Sequence, residues 1–391
     1  MSLLPSLWHR LQSVWLGHSW RQQASAIAKR MQRDWAALPS LGFLLGLAFL
    51  FHFLNMNTFS LSVDDEYSAY RQDPQVWIQQ GRWLVYWLER GLITQPTVPY
   101  FSALLFCFLA TSAYSLVIRA HHMTSSAGLY LAFPLFCAYP VWGFIAEFYG
   151  NLPSAALGLF FAALAGYFFA LGREAAWAAH LEQKPYIRPA SLPLAASILA
   201  LAFAIGSYQS FLLFFLAHGL GLLIWSPRLG TNGFERYASL KELGLLAAVT
   251  LLGLGLYSAI QATHLRLFGL TNVYIGQFYQ PEALLRDGAA AGRRILRLIE
   301  QAYLGKSRLL GRSISGLFIV SLLGTISLVA RTAGSSRRFL DHLPGSLLVA
   351  GFLSTPFPST SSPRICLCGH WLDYPMSCGC LRWARKRAVT G

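Results

Sequence analysis

Three consecutive acids, Asp64, Asp65 and Glu66, stand just after the first long apolar run of the chain. Neighbouring carboxylates perturb one another's proton affinity, and a carboxylate so tuned can take a proton from a hydroxyl. Carboxylates are costly near lipid and are seldom found there without a task. The triplet therefore reads as the reactive centre of a membrane enzyme. It would serve as a general base, or as a base beside a carboxylate that binds a divalent cation such as Mg2+ or Mn2+. The plainer reading of the same residues is a solvated loop start, or a helix N-cap before Tyr67.

Cationic and aromatic residues follow. From Val76 to Leu92, the residues Trp77, Trp83, Leu84, Trp87 and Leu88 recur near helical spacing, with Gln79, Gln80, Arg82 and Glu89 on the other faces. This pattern predicts one short helix lying in the outer membrane interface. Such a helix could be a simple anchor. It could also form a floor under a bound lipid carrier and display Arg82 to its phosphate, since a planar guanidinium donates two hydrogen bonds to phosphate oxygens. Glu147, in GFIAEFYGNLP, falls near the outer end of a later apolar run, on the side of the triplet. It is either a second reactive carboxylate or metal ligand, or an interfacial side chain reaching water. His121 and His122 read as a basic flank, and His52 as a partner for a neighbouring helix.

These residues must be positioned by membrane helices. Of 391 residues, 55% are hydrophobic and 12% are charged, about half the charged share of a soluble domain. Mean hydropathy is +0.45. The predicted fold class is all-α: a polytopic transmembrane bundle of about eight spans with an outer-face interfacial helix. The candidate spans are about 38–59, 97–118, 127–149, 153–172, 191–206, 210–226, 243–263 and 310–330. The tract 191–226 reads as two spans turning at Gly206-Ser207-Tyr208-Gln209, with one long tilted helix as the competing reading.

The net charge of +15 fits basic flanks against anionic lipid, and no nucleic-acid module is visible. Segment 1–37 carries Trp and Arg/Lys residues suited to a cytoplasmic amphipathic helix. Basic loops place the N-terminus inside and the loop 60–96 outside. The stretch 264–309 is rich in cations although it falls outside. No internal repeat is visible, which counts against repeat-built transporters. The transmembrane domain reads as 38–353. The tail 354–391 is Pro-, Ser- and Cys-rich, and reads as a frame-shifted or truncated end. Its Cys366, Cys368, Cys378 and Cys380 with His370 are zinc-type donors, but their spacing is not that of a familiar zinc module. Cys107 and Cys137 read as small apolar span residues.

The order of apolar span, DDE, W-x-x-x-G-R-W-L and a later S-Y-Q-S resembles the glucosyl transferase II family, over about residues 40–330. These are polytopic bacterial enzymes, similar in layout to GT-C-type glycosyltransferases and associated with O-antigen modification. The resemblance implies Asp64 and Asp65 as reactive acids with Glu66 beside them. It places Trp77, Gly81, Arg82 and Trp83 in a first-loop motif, and Tyr208 and Gln209 at an outer turn. It also implies a polyprenyl-phosphate sugar donor, a polysaccharide acceptor, inversion at the anomeric carbon, and a bacterial inner-membrane location with the site facing the periplasm. Family members usually carry further spans, and the chain departs from them after about Ser354.

The residues agree with a lipid-borne donor. No Gly-rich phosphate loop on a strand-to-helix turn is present. A departing lipid phosphate needs cations beside it, and Arg82, Arg293, Arg294 and Arg297 could supply them. The segment 286–308 could equally be a basic surface helix on anionic lipid. A transporter or flippase of a lipid-linked sugar is the alternative function. It would more often place ionisable or helix-breaking residues in mid-span, whereas here the acids cluster at an outer mouth. A non-catalytic envelope scaffold is a third reading, with no interaction module to favour it.

Overall fold

The computed structural model describes residues 41–57, 73–92, 99–121, 150–181, 190–224 and 236–271, with single helical positions at 25, 28, 29, 32, 133, 134, 136, 137, 288, 292, 293, 296 and 297. All fall within one compact unit, Met1–Phe357. Regular structure among them is helical throughout: α1 Leu41–Asn57, α2 Val76–Gln79, α3 Trp83–Gly91, α4 Pro99–Ala120, α5 Leu152–Leu181, α6 Ser191–Ser207, α7 Phe211–Ile224 and α8 Arg236–Phe268. Asp64, Asp65, Glu66, Glu147, Arg294, the candidate span 310–330 and the Cys-rich tail lie outside the described residues.

Proline marks several helix starts. Pro99 is the first residue of α4, and Pro153 and Pro193 fall in the first turns of α5 and α6. An amide there has no partner within its own helix, so proline costs nothing and presets the backbone. Several hydroxyls inside the apolar helices are satisfied locally. Ser112 donates to the Phe108 carbonyl at 2.8 Å, Ser115 to Thr111 at 2.9 Å and Thr250 to Leu246 at 2.7 Å, each one turn back along its helix.

Helix α5 is the centre. Its buried face is rich in alanine (Ala155, Ala156, Ala162, Ala163 and Ala165), and small residues let neighbouring backbones approach closely. It packs on α4, α6 and α7; α1 covers α4, and α8 covers α6 and α7. Side-chain contacts give the register. The Ser207 hydroxyl donates to the Ser154 carbonyl at 2.5 Å and Ser197 to Ala165 at 2.8 Å, while Leu194 lies over Gly172. Helix α6 therefore runs antiparallel to α5. Phe211 lies over Gly158 and His218 over Gly166, while Arg173 reaches the Leu222 carbonyl at 2.5 Å. Helix α7 is thus parallel to α5 and antiparallel to α6. The tract 191–226 is a helical hairpin, and the single-helix alternative is excluded. At its turn Tyr208 is extended, with φ −152° and ψ 123°.

Among the described residues three helices are long and apolar enough to cross a membrane, within Tyr100–Ala120, Leu152–Trp177 and Lys241–Phe268; Leu41–Phe53, Ser191–Ser207 and Phe211–Leu223 are shorter apolar helices. Two helices outrun their predicted spans. Helix α5 has 30 residues and α8 has 33. The predicted span stopped before Arg173, which was expected in a loop. Arg173 is instead 2% exposed within α5, bonded to the Leu222 carbonyl and 3.9 Å from Glu242 of α8. A charge so accompanied can stay inside the bundle.

The interfacial helix expected over 76–92 is two helices. Gly81 breaks it with φ 74°, a backbone conformation that only glycine adopts without strain. The Gly81 amide donates to the Ile78 carbonyl at 3.0 Å and the Arg82 amide to Trp77 at 2.7 Å. That pair of bonds is the Schellman ending of a helix. The chain turns there, and Arg82 becomes the residue that opens α3.

Candidate functional site

The turn at Gly81 brings together five residues singled out in the sequence: Trp77, Arg82, Trp83, Tyr208 and Gln209. Arg82, expected on a polar face of a single interfacial helix, instead opens a second one. It is only 8% exposed. Its guanidinium carbon stands 3.9 Å from the centre of the Tyr208 ring and 5.5 Å from that of Trp77. A guanidinium stacked on an aromatic face is held by the ring's electrons while its in-plane N–H groups stay available. The Arg82 Nε is buried without a hydrogen-bond partner among the described residues.

The hairpin turn and the Gly81 turn are joined directly. The Gln209 amide donates to the Gln80 carbonyl at 2.8 Å. Trp83 is 2% exposed and seats its indole on Gly206, where a Cβ would come within 2.4 Å of the ring. Gly206 is thus the residue at which α6 accepts Trp83. The ring also packs against Phe203, with centroids 5.5 Å apart.

Helix α8 supplies three polar residues that the sequence reading passed over. The Tyr257 hydroxyl donates to the Gly81 carbonyl at 2.9 Å, and the Gln261 amide donates to Ile78 at 2.6 Å. Trp87 Nε1 donates to His264 Nε2 at 2.9 Å. Indole is only a donor, so the proton of His264 sits on Nδ1, which donates to the Ile260 carbonyl at 2.8 Å. His264 is thereby committed as a structural ring, stacked between Trp83 and Phe268. Tyr257, Gln261 and His264 are spaced i, i+4 and i+7, which places them on one helix face. That spacing was the available signal. It was hidden because 243–263 reads as a mostly apolar span and His264 falls in the outer stretch 264–309.

The same end of the bundle collects other predicted outer ends. Ser154 at the start of α5 meets Ser207 at the end of α6. His52, near the end of α1, packs edge-on against Phe106 near the start of α4, with centroids 5.1 Å apart. The far end holds the Arg173–Glu242 pair. His121, expected as a basic flank, stacks on the buried His218 ring with centroids 5.2 Å apart. Cys107 and Cys137 are free and buried, as expected of apolar span residues.

Arg293 and Arg297 are exposed helical residues, four apart and so on one face. They are not part of the hydrogen-bonded cluster around Arg82. Among the described residues no group of three or more His, Cys, Asp or Glu gathers to hold a metal ion; the acid triplet lies outside them.

The family model described as Glucosyl transferase GtrII matches residues 53–357 of the chain. No curated protein and no solved structure matches it.

Proposed function

Since the chain belongs to the glucosyl transferase GtrII family, and is thus a glycosyltransferase, we propose that it moves glucose from a polyprenyl-phosphate carrier to a cell-surface polysaccharide such as O-antigen. The reaction takes place at the periplasmic face of the bacterial inner membrane. Asp64 or Asp65 takes the proton from an acceptor hydroxyl, and the oxygen attacks the anomeric carbon. A glycosidic bond forms as the bond to the carrier phosphate breaks, and the polyprenyl phosphate leaves with the electron pair. Glu66 and Glu147 stand by as further acids. Trp77, Trp83, Tyr208 and Gln209 form the wall of the donor site, with Arg293, Arg294 and Arg297 as further cations for the phosphate.

The observation that carries the reading is Arg82. A nearly buried guanidinium, stacked on Tyr208 with an unbonded Nε, is the kind of preorganised donor that stabilises a departing phosphate. The test supplies membranes with polyprenyl-phosphate glucose labelled in the sugar, together with a polysaccharide acceptor. Label appearing in the polysaccharide is the expected result, lost in Asp65→Asn while the protein still inserts. Movement of the donor between leaflets without transfer would favour a flippase, and full transfer by Asp65→Asn would remove that residue from the mechanism.

A further inference from the structure

The turn that carries Arg82 is held from behind by side chains of a different helix, and this points to residues that act on the reaction without touching it. Three carbonyl acceptors around the turn, Ile78, Gln80 and Gly81, are each bonded by a side chain from far along the chain. Gln261 takes the first at 2.6 Å, Gln209 the second at 2.8 Å and Tyr257 the third at 2.9 Å. Two of these donors come from a helix apolar enough to cross a membrane. Polar side chains there are costly unless bonded. Gln261 is itself buried, with its Oε1 unpartnered among the described residues.

Helix α2 has only four residues and could not hold its own shape, because so short a helix does not persist without tertiary support. The apolar contacts of Trp77 and Ile78 fix its depth. The rotation of the Gly81–Arg82 peptide, which follows a positive φ, is held at both its ends: its amide donates to the Trp77 carbonyl at 2.7 Å and its carbonyl accepts from Tyr257 at 2.9 Å. The Arg82 Cα follows that peptide immediately, so the direction of the guanidinium over Tyr208 depends on it.

We propose that Tyr257 and Gln261 are positioning residues for the donor phosphate: by holding the Gly81 and Ile78 carbonyls they set where the Arg82 guanidinium stands. The inference rests on the reading of Arg82 as a phosphate-binding residue. Tyr257→Phe and Gln261→Leu remove the hydrogen bonds and keep most of the volume. Each is made in the full chain, alone and combined with Arg82→Ala. Transfer kinetics are measured with polyprenyl-phosphate glucose, and binding with polyprenyl phosphate in detergent micelles.

Each single variant is expected to raise KM for the donor and weaken polyprenyl phosphate binding by about tenfold, and to lower kcat as well, since the same guanidinium meets the departing phosphate. In the Arg82→Ala background neither is expected to do more, since a misplaced guanidinium matters only where a guanidinium exists. Equal losses in both backgrounds, or an unchanged KM in both single variants, overturn the proposal. Should Gln261→Leu fail to fold, as judged by its melting in detergent, Tyr257→Phe carries the same test. Wild-type binding by Arg82→Ala would instead overturn the phosphate role of Arg82. Weakened binding there beside normal Tyr257→Phe and Gln261→Leu would overturn only the positioning role.

Discussion

In the proposed reaction Arg82 would act through its shape as well as its charge. The flat guanidinium lies on Tyr208 at 3.9 Å, so the ring fixes the plane in which its N–H groups point. An ammonium is a compact point charge on a flexible stem, with no plane to fix. Arg82→Lys is therefore expected to lower kcat/KM for a polyprenyl-phosphate donor by about tenfold or more, nearly as far as Arg82→Ala. Steady-state transfer assays on the two variants decide this. A lysine variant as active as wild type would mean that charge alone suffices. Arg82 could be singled out in the sequence because G-R-W stands out beside the acids. Its burial was not, because the Tyr208 ring that covers it is more than a hundred residues away in the chain. Gln209 and Tyr208 were legible only as a turn. Tyr257 and Gln261 were passed over: their spacing on one helix face was visible, but the distant carbonyls they bond were not.

At the scale of elements, glycines decide where helices touch. A Cβ at residue 158 would lie 2.2 Å from the Phe211 ring, and one at residue 206 would lie 2.4 Å from the Trp83 ring. Both rings are nearly inaccessible, so neither can swing aside without opening the core. Gly158→Ala is expected to destabilise the bundle by about 1–3 kcal/mol through overpacking, read as a lower melting temperature in detergent. Gly206→Ala should do the same and also displace Trp83, which adjoins Arg82, so that it lowers transfer as well. Among the described residues, no neighbour beyond its own stretch of helix backbone comes within 4 Å of a Cβ added at Gly244 or Gly255. Alanine there should leave melting unchanged or slightly raised, because alanine favours helix over glycine. A drop at Gly244 equal to that at Gly158 would show that the cost of an added methyl does not follow these contacts, and would overturn the packing account. The hairpin of α6 and α7 was legible because Gly206-Ser207-Tyr208-Gln209 interrupts an apolar tract too long for one span. The break at Gly81 was not. Periodicity of apolar residues continues across 76–92 and hides a peptide whose positive φ divides it. Helix α5 was read short for the opposite reason: Arg173 looked like a loop cation, and its partners Glu242 and the Leu222 carbonyl come from other helices.

At the scale of the whole molecule, the alternating directions of α5, α6, α7 and α8 gather one set of helix ends around the Gly81 turn and the opposite set around Arg173 and Glu242. This is what a membrane bundle with chemistry on one face requires, and it turns the proposed orientation into a two-point experiment. Leu92, just past α3, is 79% exposed at the end with the Arg82 cluster. Lys241 is exposed near the start of α8, beside Glu242 at the other end. In a background lacking the native cysteines, Leu92→Cys is expected to react in intact cells with a maleimide that does not cross the inner membrane. Lys241→Cys should react only after the membrane is opened. The excess of cations near the predicted inner ends argues for this direction, while the basic stretch 264–309 argues against it, so the labelling carries real weight. The reverse pattern would put the Arg82 cluster in the cytoplasm. A sugar carried on the periplasmic leaflet would then be out of its reach, and the donor would have to be one available inside. Labelling of both positions in intact cells would mean that the two ends are not on opposite sides of a membrane, and the helix directions read from Ser154–Ser207 and Arg173–Leu222 would no longer describe a bundle that crosses it.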